Sequence, residues 1–358
     1  MNKLYCLCLS SFLCFPALAC AQQTGAAAPI APSPGSTAAA ASVPARINLD
    51  VLVTARDVKP ISGLEPSDFT LLDSTQPRRI LAFRRTDGTV GSRMDPPVEV
   101  IIVLDAVNLP YQAVTLQRLG IEDFLRRNGG HLAQPTSIFL LTSDGLRVQP
   151  APSRDGNALA TALHQSTGTV RSRGTAAGDY GLAEQFTSSI QTLKEIAANG
   201  ARKPGRKMLI WIGPGWPWLV GRQFTQSNEG QRQHFQSIVD LSRMLREARI
   251  TLYNTYSIVG IDAVAYEAYV KPVREAKKAD APNLGLQVIA TQTGGRVLDP
   301  SNDIPGQLEQ CIADIGAYYT LTFAAPPAAQ MNEYHDLKVQ VDQPGLTVRT
   351  RNGYYDQP

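Results

Sequence analysis

Apolar residues in 46–53 fall on every second position, at Ile47, Leu49, Val51 and Val53. That is the two-residue period of a strand with one buried face. Phe69 and Leu71, then Ile80 and Ala82, predict two more strands joined by turn residues around 73–77. Residues 46–90 therefore read as an antiparallel β unit. At residue 98 the pattern changes. The segment 98–108 reads VEVIIVLDAVN, and six of the seven residues before Asp105 are β-branched or Leu. A run of this kind predicts a strand buried on both faces, at the centre of a parallel sheet. Residues 137–142 (SIFLLT), 207–212 (KMLIWI) and 250–256 predict further strands, and 296–298 a short one.

Helical spacing fills the intervals. Residues 116–127 predict a helix with Leu119, Ile121 and Phe124 inward, and Asp155 caps a second at 157–165. Leu182, Phe186, Ile190, Leu193 and Ile196 mark a third over 181–198. Further helices are expected at 235–248, at 284–293 before Gly294-Gly295, and at 304–315. Alternation of this length over 97–317 implies a mostly parallel sheet with helices on both faces. The tail, 318–358, returns to two-residue alternation at 318–323, 337–341 and 346–351. Three strands at either end are too few for two independent folds. The expected architecture is one small β-sandwich built from both ends, with the α/β domain inserted in it.

The first residues alter the cellular picture. Lys3 precedes an apolar stretch, 4–18, that is too short to span a bilayer, and small residues follow at Ala17, Ala19 and Ala21. Residues 1–21 read as a signal peptide cleaved after Ala21, with lipid attachment at Cys20 as the alternative. Residues 22–45 read as an Ala/Pro-rich linker. The expected location is periplasmic, secreted or outer-envelope associated, with no transmembrane helix in the mature chain. Cys6, Cys8, Cys14 and Cys20 fall in the signal, so Cys311 alone remains and no internal disulfide can form. Its spacing from Leu308, Ile312 and Ile315 predicts a buried thiol. The net charge of +3 is too small for a nucleic-acid surface.

Catalysis finds little to work with. His131, His164, His234 and His335 lack metal-ligand spacing, and no Gly-x-Ser-x-Gly elbow occurs. Asp179 and Glu184 sit near a helix start, where carboxylates meet the macrodipole favourably. The basic run 271–278 reads as a solvated helical face. Gly213-Pro214-Gly215 lacks the phosphate-loop signature, and Pro214 removes an N–H donor. A tight turn is the simpler reading. Trp216 and Trp218 follow it. They form either an aromatic lip for a protein or glycan, or packing beneath the loop. Asp105 ends the central strand, on the edge where open α/β sheets bind ligands. Its alternative role is to accept backbone N–H groups in a turn.

Several pieces, in this order and spacing, resemble the von Willebrand factor type A family, in the VWFA-related variant of the Acidobacteria. They are GLEPSDFTLLD at 63–73, VEVIIVLDAVN at 98–108, ARKPGRKMLIWIGPG at 201–215, LQVIATQTGGRVL at 286–298, YYTLTF at 318–323 and LTVRTRNGYYD at 346–356. The resemblance implies a Rossmann-like domain that binds other proteins, often through a divalent cation at the carboxyl edge. The family holds that cation with Asp-x-Ser-x-Ser, a Thr and a later Asp. Asp105 matches the first ligand. The serine positions fall on Val107 and Leu109, Asn108 offers an amide oxygen beside them, Thr175 is the candidate Thr, and Gly213 or Pro214 replaces the last Asp. The site reads as degenerate, with weak Mg2+ or Mn2+ binding at Asp105 at most. The candidate binding residues are thus Asp105, Asn108, Thr175, Gly213, Trp216 and Trp218. A protein partner is expected, with a glycan-associated envelope role through Trp216 and Trp218 as the alternative.

Overall fold

The computed structural model describes residues 45–55, 59–87, 96–149, 151–167, 178–216, 227–256 and 263–356, without the side chains of 178–180 and 263–265. The expected signal peptide, and the linker up to Ala45, lie outside these residues. The chain opens with β1 (Arg46–Ala55), β2 (Lys59–Pro60), β3 (Phe69–Asp73), β4 (Gln76–Pro77) and β5 (Ala82–Thr86). The middle runs β6 (Glu99–Asp105), α1 (Tyr111–Arg126), β7 (His131–Thr142), β8 (Gly145–Val148), β9 (Ser153–Asp155), α2 (Gly156–Thr167) and α3 (Gly178–Ala201). It continues through β10 (Lys207–Ile212), α4 (Asn228–Glu247), β11 (Ile250–Asn254), α5 (Ala263–Val270), α6 (Leu286–Gln292) and α7 (Ile304–Ala313). The chain ends in β12 (Tyr318–Ala324), β13 (Glu333–Val341), β14 (Leu346–Arg349) and β15 (Gly353–Asp356).

The central sheet has the order β11-β10-β6-β7-β8. Strands β11, β10, β6 and β7 run parallel, while β8 and β9 pair antiparallel with β7. Every residue of β6 is buried, which accounts for its unbroken apolar run. Its side chains alternate between two cores. Ile101 and Val103 join Ile190, Leu193 and Ile196 of α3 and Leu241 and Leu245 of α4. Val100, Ile102 and Leu104 join Ile121 and Leu125 of α1, Leu159 of α2 and Leu308 of α7. Val297 bridges to Asn254 in parallel, extending the sheet beyond β11.

Two smaller antiparallel sheets take strands from both ends of the chain, in the orders β14-β1-β12-β5 and β15-β13-β3-β4. They enclose one apolar core that includes Leu49, Val51, Phe69, Leu71, Tyr319, Phe323, Val339 and Tyr354. Asp73 is fully buried within it. It accepts the Tyr354 hydroxyl at 2.8 Å and meets His335 Nδ1 at 2.9 Å. This tie joins β3, β13 and β15. Residues 44–358 form one compact unit, and among the described residues no helix is long and apolar enough to cross a membrane.

Three expectations need correction. Leu119 faces outward, 49% exposed, because α1 turns Ile121 and Leu125 into the core instead. The run 271–278 is no helical face: α5 stops at Val270 and only a single 3-10 turn, Ala276–Lys278, follows. Val273 within it is buried. A fourth C-terminal strand, β15, follows the Asn352-Gly353 turn signal, and Tyr354 on it is fully buried.

Cys311 lies in the α1-side core, and burial pushes its thiol far above the ordinary value. A thiolate-directed reagent is expected to leave Cys311 unmodified in the native protein and to react fully after denaturation. A thiol assay with and without guanidinium checks this.

Candidate functional site

The strand β6 delivers Asp105 to the carboxyl edge of the sheet, where the chain order reverses: β7 lies on one side and β10 on the other. This switch point is where such sheets form a ligand crevice. Here it is filled. Asp105 is fully buried, and its two oxygens meet four donors. Oδ1 accepts the backbone N–H groups of Val107 at 3.1 Å and Asn108 at 3.0 Å. Oδ2 accepts Asn108 Nδ2 at 2.7 Å and the indole Nε1 of Trp211 at 2.9 Å. Burial outweighs these donors and pushes the Asp105 carboxyl above its ordinary value of 3.8.

The neighbouring positions explain the closure. Val107 packs on the α3-side core and Leu109 is buried in the α1-side core. The two positions where the family places serines therefore anchor the loop on both sides of the sheet. Gly213 has φ +147°, and a Cβ there would stand 2.8 Å from the Asp105 Cβ. Glycine is required because β10 turns directly against the carboxylate. Asn254 Nδ2 donates to the Trp211 and Gly213 carbonyls, both at 2.9 Å, and Gln287 Nε2 reaches the Pro214 carbonyl at 2.9 Å. The glycine-rich segment is a turn pinned from beneath, and the next described helix begins only at Asn228.

This arrangement does not suit a divalent cation. A cation needs free oxygen lone pairs, whereas an indole N–H and an amide NH2 point at Oδ2. Asn108 Oδ1 is buried without a partner. It stands alone, because Asn108 Nδ2 is spent on Asp105 and on Ser189 Oγ at 3.1 Å. Gly213 supplies no side-chain oxygen. Among the described residues no three His, Cys, Asp or Glu side chains group together as ligands.

Trp216 corrects the aromatic lip. It is fully buried, its Nε1 donates to the Leu284 carbonyl at 2.6 Å, and its ring packs edge-on to Trp211 with centroids 5.7 Å apart. A large apolar ring gains more beneath the loop than at the rim, and the carbonyl satisfies its polar end. Thr175 and Trp218 lie outside the described residues, as does the Asp179 side chain. Trp211, Ser189 and Gln185, whose Nε2 reaches the Val107 carbonyl at 3.4 Å, complete the polar floor. None of them stands out in the chain, although a buried indole N–H in an apolar strand does call for an acceptor.

Outside the closed edge, α1 leaves an apolar ridge in solvent, formed by Leu116 and Leu119 one turn apart, with Tyr111 at the helix start set round to one side of it. Tyr111 is 56%, Leu116 67% and Leu119 49% exposed, and α1 follows the Asp105 loop directly. On its other side α1 lies tight on α7, where a Cβ at Gly120 would stand 2.6 Å from the Ile304 Cβ. A polar cleft of about 410 Å³ at the start of α7 is lined by Arg296, Asp299, Asp303 and Gln307 among others. Gln307 closes its floor by donating to the Thr255 and Asp299 carbonyls at 3.2 and 2.7 Å.

No protein-family model matches this chain, and no curated protein does. Among solved structures it is similar to the human COPII-coat protein Sec24c, at 12% identity over 82% of this chain and 50% of that one, with a TM-score of 0.36. It is also similar to the SpRpn10 VWA domain, at 10% identity over 60% of this chain and 94% of that one, TM-score 0.28. The TFIIH p34 N-terminal domain gives 13% identity over 62% and 97%, TM-score 0.29. The chain spans about half the length of Sec24c and of the mussel byssus proximal thread matrix protein 1. Scores of this size transfer nothing to the chain, and its fold rests on its own strand order and register.

Proposed function

We propose that this chain is an exported, non-enzymatic protein-binding module. In this reading a von Willebrand type A-like domain of the VWFA-related kind is inserted in a β-sandwich made by the two small sheets. It holds its partner without a metal ion. The observation that carries the reading is the α1 ridge. Six large apolar side chains stand exposed among the described residues, and three of them, Tyr111, Leu116 and Leu119, share this one helix. Scattered exposed apolar residues are ordinary, but Leu116 and Leu119 stand side by side, one helical turn apart, and offer a contiguous apolar surface. The closed Asp105 turn supports the same reading, since it takes that one carboxylate out of cation-bridged adhesion. The glycan-associated alternative is weakened by the burial of Trp216.

A photo-crosslinking residue at Leu116 is expected to capture protein from an envelope fraction, equally with and without EDTA. The same probe at Val148, 47% exposed on β8, serves as the control. Leu116→Ser should weaken binding of the captured partner by about 1–2 kcal/mol without lowering Tm. Equal capture from both positions, or capture that requires magnesium, overturns the reading.

A further inference from the structure

The amino edge of the parallel sheet meets the small sheets at a junction crowded with cations. Arg206 and Lys207 are 4% and 1% exposed there, and Arg351 is 9% exposed between β14 and β15. Each carboxylate at the junction already has a cation of its own. Asp50 holds Arg249, Glu99 holds Lys203 at 2.9 Å, and Asp314 holds Arg349 at 2.6 Å. Lys207 is satisfied by the Lys203 and Gly205 carbonyls, and Arg206 lies 4.7 Å from the Tyr318 ring centre.

Three guanidinium groups here lack an ion pair among the described residues: Arg206, whose Nε and Nη1 are buried without a partner beside Tyr318, and Arg246 and Arg351, which share a cavity. Among the described residues Arg351 makes one long hydrogen bond, from Nη1 to the Ser242 carbonyl at 3.5 Å, and no ion pair. Arg246 lies over the Tyr354 ring at 5.7 Å, and its Nε is buried without a partner. Both line one cavity of about 20 Å³, together with Arg249, Asp50, Asn48 and Thr293. A guanidinium cannot escape burial by losing its proton near neutral pH. Burial, with Arg246 beside it, pushes Arg351 down only to about 10, so it stays charged. Arg351 is buried and Arg246 half-buried, and the Asp50 carboxylate on the same cavity is already paired with Arg249, so an excess of positive charge faces this space and calls for a counter-charge inside it. The volume suits one atom of water or halide size.

We propose that this cavity binds a small monovalent anion of chloride size between Arg246 and Arg351. The anion fastens the α4–β11 end of the parallel sheet to β1 and the C-terminal strands.

Thermal unfolding of the full chain at fixed pH and ionic strength tests this, with sodium gluconate replaced stepwise by sodium chloride up to about 150 mM. The expected result is a saturable rise in Tm of about 2–4 °C. Arg351→Met should abolish the rise whatever it does to the starting Tm. Should that variant fail to fold, Arg246→Met is expected to show the same loss. Crystals soaked in bromide should show an anomalous peak in the cavity. Equal Tm values in the two salts, a chloride response that survives in both variants, or bromide bound only at the surface overturns the proposal.

Discussion

Asp105→Ala is expected to destabilise the protein by about 3–5 kcal/mol, enough to lower Tm by roughly 10 °C. The substitution removes the acceptor for four donors, leaving the Trp211 indole N–H buried without a partner and the Asn108 amide with Ser189 Oγ alone. Asp105→Asn keeps the shape but turns an NH2 group toward those same donors, so it should cost about 2–3 kcal/mol. The penalty carries a pH signature. Because the folded state holds the Asp105 carboxyl above 3.8, it binds that proton more tightly than the unfolded chain does. The stabilisation is full below 3.8 and declines as pH rises through the folded value. The gap between the wild-type protein and Asp105→Ala should therefore be wider near pH 4 than at pH 7. Urea unfolding at the two pH values measures it. Millimolar magnesium should leave the wild-type Tm unchanged. A folded, equally stable Asp105→Ala protein, or a magnesium-raised Tm, would show that Asp105 is a working ligand.

Gly213→Asp, which places a carboxylate at one of the two positions, Gly213 or Pro214, that match the resembled family's later Asp, should fail to build a site. At φ +147° a side chain is strained, and its Cβ would sit 2.8 Å from the Asp105 Cβ. A second carboxylate would also enter a buried place already occupied by one. We expect a loss of at least about 4 kcal/mol, seen as insoluble or molten protein that magnesium does not rescue. Gly213→Ala isolates the backbone and contact part and should be milder. Circular dichroism and soluble yield with and without magnesium decide the matter. A soluble Gly213→Asp protein whose Tm rises with magnesium would mean that the closed edge reopens easily.

The two variants mark how far the sequence could be read. The absence of oxygen at Val107, Leu109 and Gly213 was visible residue by residue, and it pointed to a weakened cation site. What took its place was not visible. Trp211 lies 106 positions from Asp105 and meets it only because β10 pairs with β6 in a register that puts Trp211 opposite Val103. Trp216 illustrates the same limit: an indole near a sheet edge suits a rim or a floor equally well, and the Leu284 carbonyl decided it. On α1 the apolar residues were legible but their facing was not. Leu116, Leu119, Ile121, Phe124 and Leu125 fit more than one helical stripe, and the packing of α1 on α2 and α7 selected Ile121 and Leu125.

By itself the sequence determined most of the strands and helices, though not α5 or β15, that β6 is buried on both faces, and that the parallel sheet is flanked by β segments at both ends. These are properties of apolar periodicity, and periodicity is local: each strand or helix must hide its own apolar face wherever it packs. The tertiary structure alone decided that Asp105 is consumed by a turn and an indole. It alone left the α1 ridge in solvent and gathered Arg246 and Arg351 around one cavity. Those outcomes depend on which distant residues share a small volume. There the desolvation of polar groups, which has no period along the chain, selects the partners.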